Sequence, residues 1–91
     1  MYAVVVRERG QADQINTSGQ HVQVNVLPRA RQAPGILSGF WMTDMAGATL
    51  NGLVFESEDA ARSALEPVRT APRPPSMHVE SVEVYEVLAH F

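Results

Sequence analysis

Apolar positions in this chain come in two kinds of run, some β-branched and continuous or alternating, others recurring at helical spacing. Tyr2 to Arg7 holds three consecutive valines, the pattern of a strand covered on both faces. Ile36 to Thr43 and Ala48 to Phe55 read as a strand pair joined by Asp44-Met45-Ala46-Gly47, whose glycine can take a positive φ in a hairpin. A fourth strand covers Val79 to Leu88, within outer limits of Met77 and Ala89. At about 3.3 Å per residue it exceeds the usual strand of about 5 to 6 residues, and the excess predicts pairing with a partner.

The gaps read as helices. Glu8 to Gly19 is a polar connection, and Thr17 with Gln20 has the spacing of a capping box at its end. His21 to Val26 supports two readings. Val22, Val24 and Val26 alternate as in a strand, and Pro28 would deprive a helix of the bond to the Val24 carbonyl. Over a longer window Ile15, Val22, Val26, Ala30 and Ala33 share one helical face. The helix, residues 18–33 with a kink near Pro28, is preferred because the order of elements needs a crossover there. Pro34-Gly35 ends it. Ser57 predicts an N-cap, with Glu58 and Asp59 in the first turn and Ala60, Ala61, Ala64, Leu65 and Val68 as the apolar face. Arg62 lies one turn from Glu58 and from Glu66, Pro67 interrupts the helix, and the prolines of Ala71 to Ser76 force an extended connector. The resulting order, β-α-β-β-α-β, predicts one α+β domain over residues 1–91 with a ferredoxin-like antiparallel sheet.

Composition narrows the function classes. In 91 residues, a 45% hydrophobic content predicts that a second subunit covers part of the apolar surface. A formal charge of −3 without a basic cluster disfavours nucleic acid as a partner. The absence of cysteine excludes disulfides and thiolate chemistry. No apolar run approaches the roughly 18 residues of a membrane span, and Met1 leads directly into a strand, so the expectation is a cytoplasmic protein without a membrane partner.

The segment from Gln32 to Trp41, Gln-Ala-Pro-Gly-Ile-Leu-Ser-Gly-Phe-Trp, resembles the helix-to-strand junction of small antibiotic-biosynthesis-monooxygenase-like proteins in the dimeric α+β barrel superfamily. Leu53 to Arg62 and Ser81 to Val87 resemble the same group, so the likeness spans most of the chain. It implies a homodimer in which two sheets face each other and each subunit keeps a pocket between sheet and helices. The group includes cofactor-free oxygenases of polycyclic phenols, quinol monooxygenases and haem-degrading enzymes. The haem-degrading branch uses an Asn on the first strand, where this chain has Val4, Val5 and Val6, so haem degradation is disfavoured.

Candidate chemistry is sparse. Phe40 and Trp41 are adjacent on a strand and point to opposite faces, as an aromatic wall for a planar ligand or as packing. Asn51 interrupts an apolar strand and shares a face with Leu53 and Phe55, either buried with a ligand as partner or facing water near the hairpin. His21 is a candidate general base at the pocket's edge or an exposed helix residue. Tyr2 is a further aromatic candidate. His78 and Glu80 share a strand face, but His21, His78 and His90 are dispersed and no metal site is expected. No phosphate loop or dinucleotide fingerprint occurs, and no cofactor is expected. The leading expectation is a dimeric barrel that binds a small apolar or aromatic ligand through Tyr2, Phe40, Trp41, Asn51 and Phe55, with cofactor-independent monooxygenation as the finer reading and Asn51 and His21 as catalytic candidates. Its alternative is a non-catalytic ligand-binding or structural barrel.

Overall fold

The computed structural model of the chain describes residues 1–16 and 19–91, without the side chains of Asn16 and Gln20. The capping box at Thr17 and Gln20 therefore lies outside the described residues. Four strands, β1 (Tyr2–Arg9), β2 (Ile36–Thr43), β3 (Ala48–Phe55) and β4 (His78–Glu86), form one sheet in the order β2-β3-β1-β4. All neighbouring pairs are antiparallel, as the ferredoxin-like expectation requires.

The strand ends differ from the sequence reading at two places. β1 extends through Glu8 and Arg9, which pair with Thr49 and Ala48 on one side and with Val79 and His78 on the other. Two ladders outweigh the polar character of those residues. β4 stops at Glu86, opposite Tyr2, instead of running to about Ala89, because β1, the strand beside it, begins at Tyr2. The Val87 amide still donates to the Met1 carbonyl at 3.0 Å, but Leu88 and Phe91 are exposed. Excess strand length is thus no argument for a second subunit.

The first gap contains more helix than expected. Residues read as polar connection include α1 (Ala12–Asn16), which buries Ile15. From Gly19 on, α2 (Gly19–His21), a π-helical stretch (Val22–Val26) and α3 (Leu27–Ala30) adjoin one another, so the helical reading of His21 to Val26 holds and the strand reading falls. The irregularity sits where Pro28 predicts it. The Leu27 amide bonds back to the Val22 carbonyl, five residues earlier, and Pro28 then falls in the first turn of α3, where a missing N–H costs little. The regular helix ends at Ala30, and Gln32 and Ala33 donate to carbonyls only three residues back before Gly35, at φ 77°, turns the chain into β2.

In the second gap the Ser57 hydroxyl accepts from the Ala60 amide at 3.2 Å and caps α4 (Glu58–Ser63). Pro67 has no N–H for the Ser63 carbonyl, so the helix breaks at Ala64 and restarts as α5 (Leu65–Thr70) with Pro67 in its first turn. Arg62 pairs with Glu58 at 2.8 Å, whereas Glu66 pairs with Arg69 at 3.8 Å. Both pairs are exposed and contribute about 0.5 kcal/mol or less each.

Strand register sorts the side chains. The cross-strand rows Val84-Val4-Leu53-Gly39, Val82-Val6-Asn51-Trp41 and Val79-Glu8-Thr49-Thr43 lie on the helix-covered face. Val4, Val6, Phe55 and Ala61 of this layer are almost fully buried. The rows Tyr85-Ala3-Val54-Ser38, Glu83-Val5-Gly52-Phe40 and Ser81-Arg7-Leu50-Met42 lie on the other face, which the chain leaves open. There the Phe40 ring lies against Gly52, where an added Cβ would come within 2.3 Å of it.

Candidate functional site

Short, broken helices cannot fill the space above the covered sheet face, and a cavity of about 1220 Å³ remains between them. Its floor is sheet, with Val6, Leu53 and Phe55 toward one end and Glu8, Thr49 and Asn51 toward the other. Val22 and Val26 line it from the π-helical stretch, and Ala60, Ala64 and Val68 from the second pair of helices. Trp41, half-buried on β2, forms an aromatic side wall. The lining is mostly apolar with a small polar group, the usual character of a small-molecule site.

That polar group is a three-residue network. Asn51, 8% exposed, donates through Nδ2 to Glu8 Oε1 at 2.6 Å. The other Glu8 oxygen accepts from Arg73 Nε at 2.5 Å. Arg73 is fixed in turn by the carbonyls that close α5. Its Nη2 donates to Val68 at 2.7 Å, and its Nη1 to Ala71 at 2.9 Å and to Arg69 at 3.3 Å. The charge pair is buried on the carboxylate side and nearly so on the guanidinium side, so it is screened far less than the exposed pairs. Thr49, two residues before Asn51 on the same strand, has a buried hydroxyl without a protein partner.

Of the residues singled out from sequence, Trp41, Asn51, Phe55 and His21 line this one cavity. Asn51 is buried rather than solvent-facing, and its protein partner is Glu8. His21 is exposed at the rim, where its Nδ1 lies 3.2 Å from the Asn25 amide nitrogen. Phe40 is on the opposite sheet face, and Tyr2 sits half-buried against the core, away from the cavity lining. Its phenol is pushed above the ordinary tyrosine value, chiefly by the charge of Glu86. His78 and His90 are exposed, and Glu80 forms a surface pair with Arg9 at 3.7 Å. Among the described residues no group of three or more potential metal ligands occurs.

Glu8 and Arg73 escaped the sequence reading. Strand alternation held the signal for Glu8, since Val4, Val6 and Glu8 occupy successive positions of one face and a carboxylate there must find a donor. Arg73 had no such signal, because it comes from the proline-rich connector and reaches the site only through the fold.

No family model and no curated protein matches the chain. Among solved structures, the crystal structure of a monooxygenase from the gene ActVA-Orf6 of Streptomyces coelicolor, in complex with the ligand nanaomycin D, matches with a TM-score of 0.65 at 19% identity. The match covers 99% of this chain and 89% of that one. Likeness at that identity is one of fold. The chain has the α+β fold of the small antibiotic-biosynthesis-monooxygenase-like proteins, and no described helix is long and apolar enough to cross a membrane.

Proposed function

We propose that this chain binds a small aromatic ligand in the cavity and oxygenates it with electrons drawn from the ligand itself. The observation that carries this reading is the convergence of Asn51, Glu8 and Arg73 on the lining of a mostly apolar cavity of about 1220 Å³. The matching fold of a monooxygenase that binds nanaomycin D supports it. The reaction class is oxidation of a phenol to a quinone, in which one atom of O2 enters the ring as the new carbonyl and the other leaves as water. The four electrons that reduce O2 come from the phenol. Developing negative charge on the phenol oxygen is stabilised by the Asn51 amide and the Arg73 guanidinium within a largely apolar enclosure. In this reading His21, an exposed residue of the cavity lining, takes up the proton.

The decisive experiment is oxygen consumption with a panel of polycyclic phenols and reduced quinols, comparing wild type with Asn51→Ala and His21→Ala. Loss of about a hundredfold or more in Asn51→Ala, with the protein still folded, supports catalysis. One observation favours a second reading, a ligand-binding barrel without turnover. Glu8 already provides a partner for both Asn51 and Arg73, as in a purely structural network. Binding without oxygen consumption across the panel selects that reading.

The proposed assembly is a homodimer through the open sheet face. Phe40, Met42 and Tyr85 each expose close to half of their surface there, beside Val5, Leu50 and Val54. An apolar sheet face of this kind is a typical association surface. A particle mass near twice the 10.0 kDa of the chain, by light scattering, is the expected result, and a stable monomer overturns it.

A further inference from the structure

Packing on opposite faces of β3 fixes two successive residues, Asn51 and Gly52. On the covered face the Asn51 amide donates to Glu8 at 2.6 Å, in the network that Arg73 completes. On the open face the Phe40 ring lies where a Cβ at position 52 would stand, so glycine is what lets the ring cover the strand. Two unrelated requirements thus set an asparagine directly before a glycine. That pair is chemically labile, because a residue without Cβ leaves its nitrogen free to approach the preceding side-chain amide. The chain's other asparagines, Asn16 and Asn25, precede the β-branched Thr17 and Val26, whose bulk hinders the same approach.

The native sheet blocks the reaction. β3 lies between β1 and β2, and Gly52 pairs with Val5 and Phe40, so its N–H is directed into a ladder. Extended backbone turns the Asn51 side chain away from that nitrogen, and Glu8 holds its amide.

We infer that Asn51-Gly52 is a hydrolytic modification site, closed in the folded sheet and open whenever β3 separates from its neighbours. The only co-reactant is water. Gly52 N loses its proton and bonds to Asn51 Cγ, the Cγ–Nδ2 bond breaks, and ammonia leaves with that proton. Water then opens the cyclic imide at either carbonyl, giving aspartate at position 51 or its isoaspartyl isomer with no change of oxidation state. Both products oppose refolding. Aspartate sets a second carboxylate against Glu8, with Arg73 as their shared cation. Isoaspartate adds a methylene to the backbone and throws the rest of the strand out of register. Unfolding becomes irreversible at this one pair of residues, whatever the cavity binds.

The test ages the wild-type chain in mildly alkaline buffer, with and without guanidinium chloride at an unfolding concentration, and follows each asparagine by peptide mass mapping. In denaturant the Asn51 peptide should gain the mass difference between an amide and an acid and split into two chromatographic isomers, while the Asn16 and Asn25 peptides stay unchanged. In buffer the conversion should be at least about tenfold slower, since it waits for the ladders to open. Conversion of Asn51 no faster than that of Asn25 in denaturant overturns the inference, as does one rate in both solutions. After dilution from denaturant, converted chains should fail to regain the native circular dichroism that briefly unfolded chains regain. Asn51→Asp gives one product free of the other, and its thermal midpoint should fall or its fold be lost. An unchanged midpoint overturns the claim that conversion opposes refolding.

Discussion

The two faces of the sheet are built from the same four strands and nearly the same residue types, yet they meet different fates. On the covered face Val4, Val6, Leu53 and Phe55 pack beneath the helices, and the helices are too short and too broken to close the layer. On the open face Val5, Leu50 and Val54 are half-buried and Phe40 and Met42 exposed, with the Phe40 ring lying against Gly52 of the same sheet. Polar residues sharpen the contrast. Glu8 and Asn51 on the covered face are buried and bonded to each other, while Arg7 and Glu83 on the open face are exposed. The sheet thus has a cavity between itself and the helices on one side and an open, partly apolar face on the other, and side-chain parity along each strand assigns its residues to one or the other.

This contrast predicts the largest stability difference between two phenylalanines. Phe55→Ala should cost about 3 to 5 kcal/mol, because its fully buried ring leaves a cavity. Phe40→Ala in the dissociated chain should cost within about 1 kcal/mol. Urea unfolding at low protein concentration checks both, and equal costs would break the distinction between the faces.

Glu8→Ala should destabilise by about 2 to 4 kcal/mol, since it strands the Arg73 guanidinium and the Asn51 amide away from water. Arg7→Ala, one residue away on the open face, should stay within about 0.5 kcal/mol. The same unfolding series measures the pair.

Phe40→Asp puts a charge in the centre of the open face. The expected outcome is a shift of the light-scattering mass toward the 10.0 kDa chain with an unchanged circular dichroism spectrum. A variant whose mass stays near twice that value would move the proposed interface elsewhere.

The smallest effect concerns Tyr85, on the open face, whose phenol is held above the ordinary tyrosine value first by its hydrogen bond to Glu83, 3.0 Å away, and by the charge of that carboxylate. A phenol that ionises late in the folded chain favours folding below its unfolded value and loses that contribution as pH rises through the raised one. Glu83→Gln removes the negative charge, so Tyr85 should ionise at lower pH while Tyr2, held up mainly by Glu86, stays where it was. Ultraviolet titration of the two tyrosines, assigned with Tyr85→Phe, reads the change.

Much of this molecule was legible one residue at a time. Alternation placed Phe40 and Trp41 on opposite faces and put Asn51 with Leu53 and Phe55, because the period of a strand is local and strict. The Ser57 cap and the disturbance before Pro28 followed from single-residue chemistry, a hydroxyl that accepts and an amide hydrogen that is missing. Strand ends were harder to read, since β1 gains Glu8 and Arg9, and β4 ends at Glu86, through pairing with neighbours distant in sequence. The partners of Asn51 were the least accessible of all. Glu8 lies 43 residues from Asn51, and Arg73 lies 65 residues from Glu8. Sequence alone determined that an amide would share a face of the third strand with Leu53 and Phe55. Only the tertiary structure decided that a carboxylate and a guanidinium would meet there, because ion pairing depends on distance in space and a connector between prolines has no period that could reveal where its one cation points.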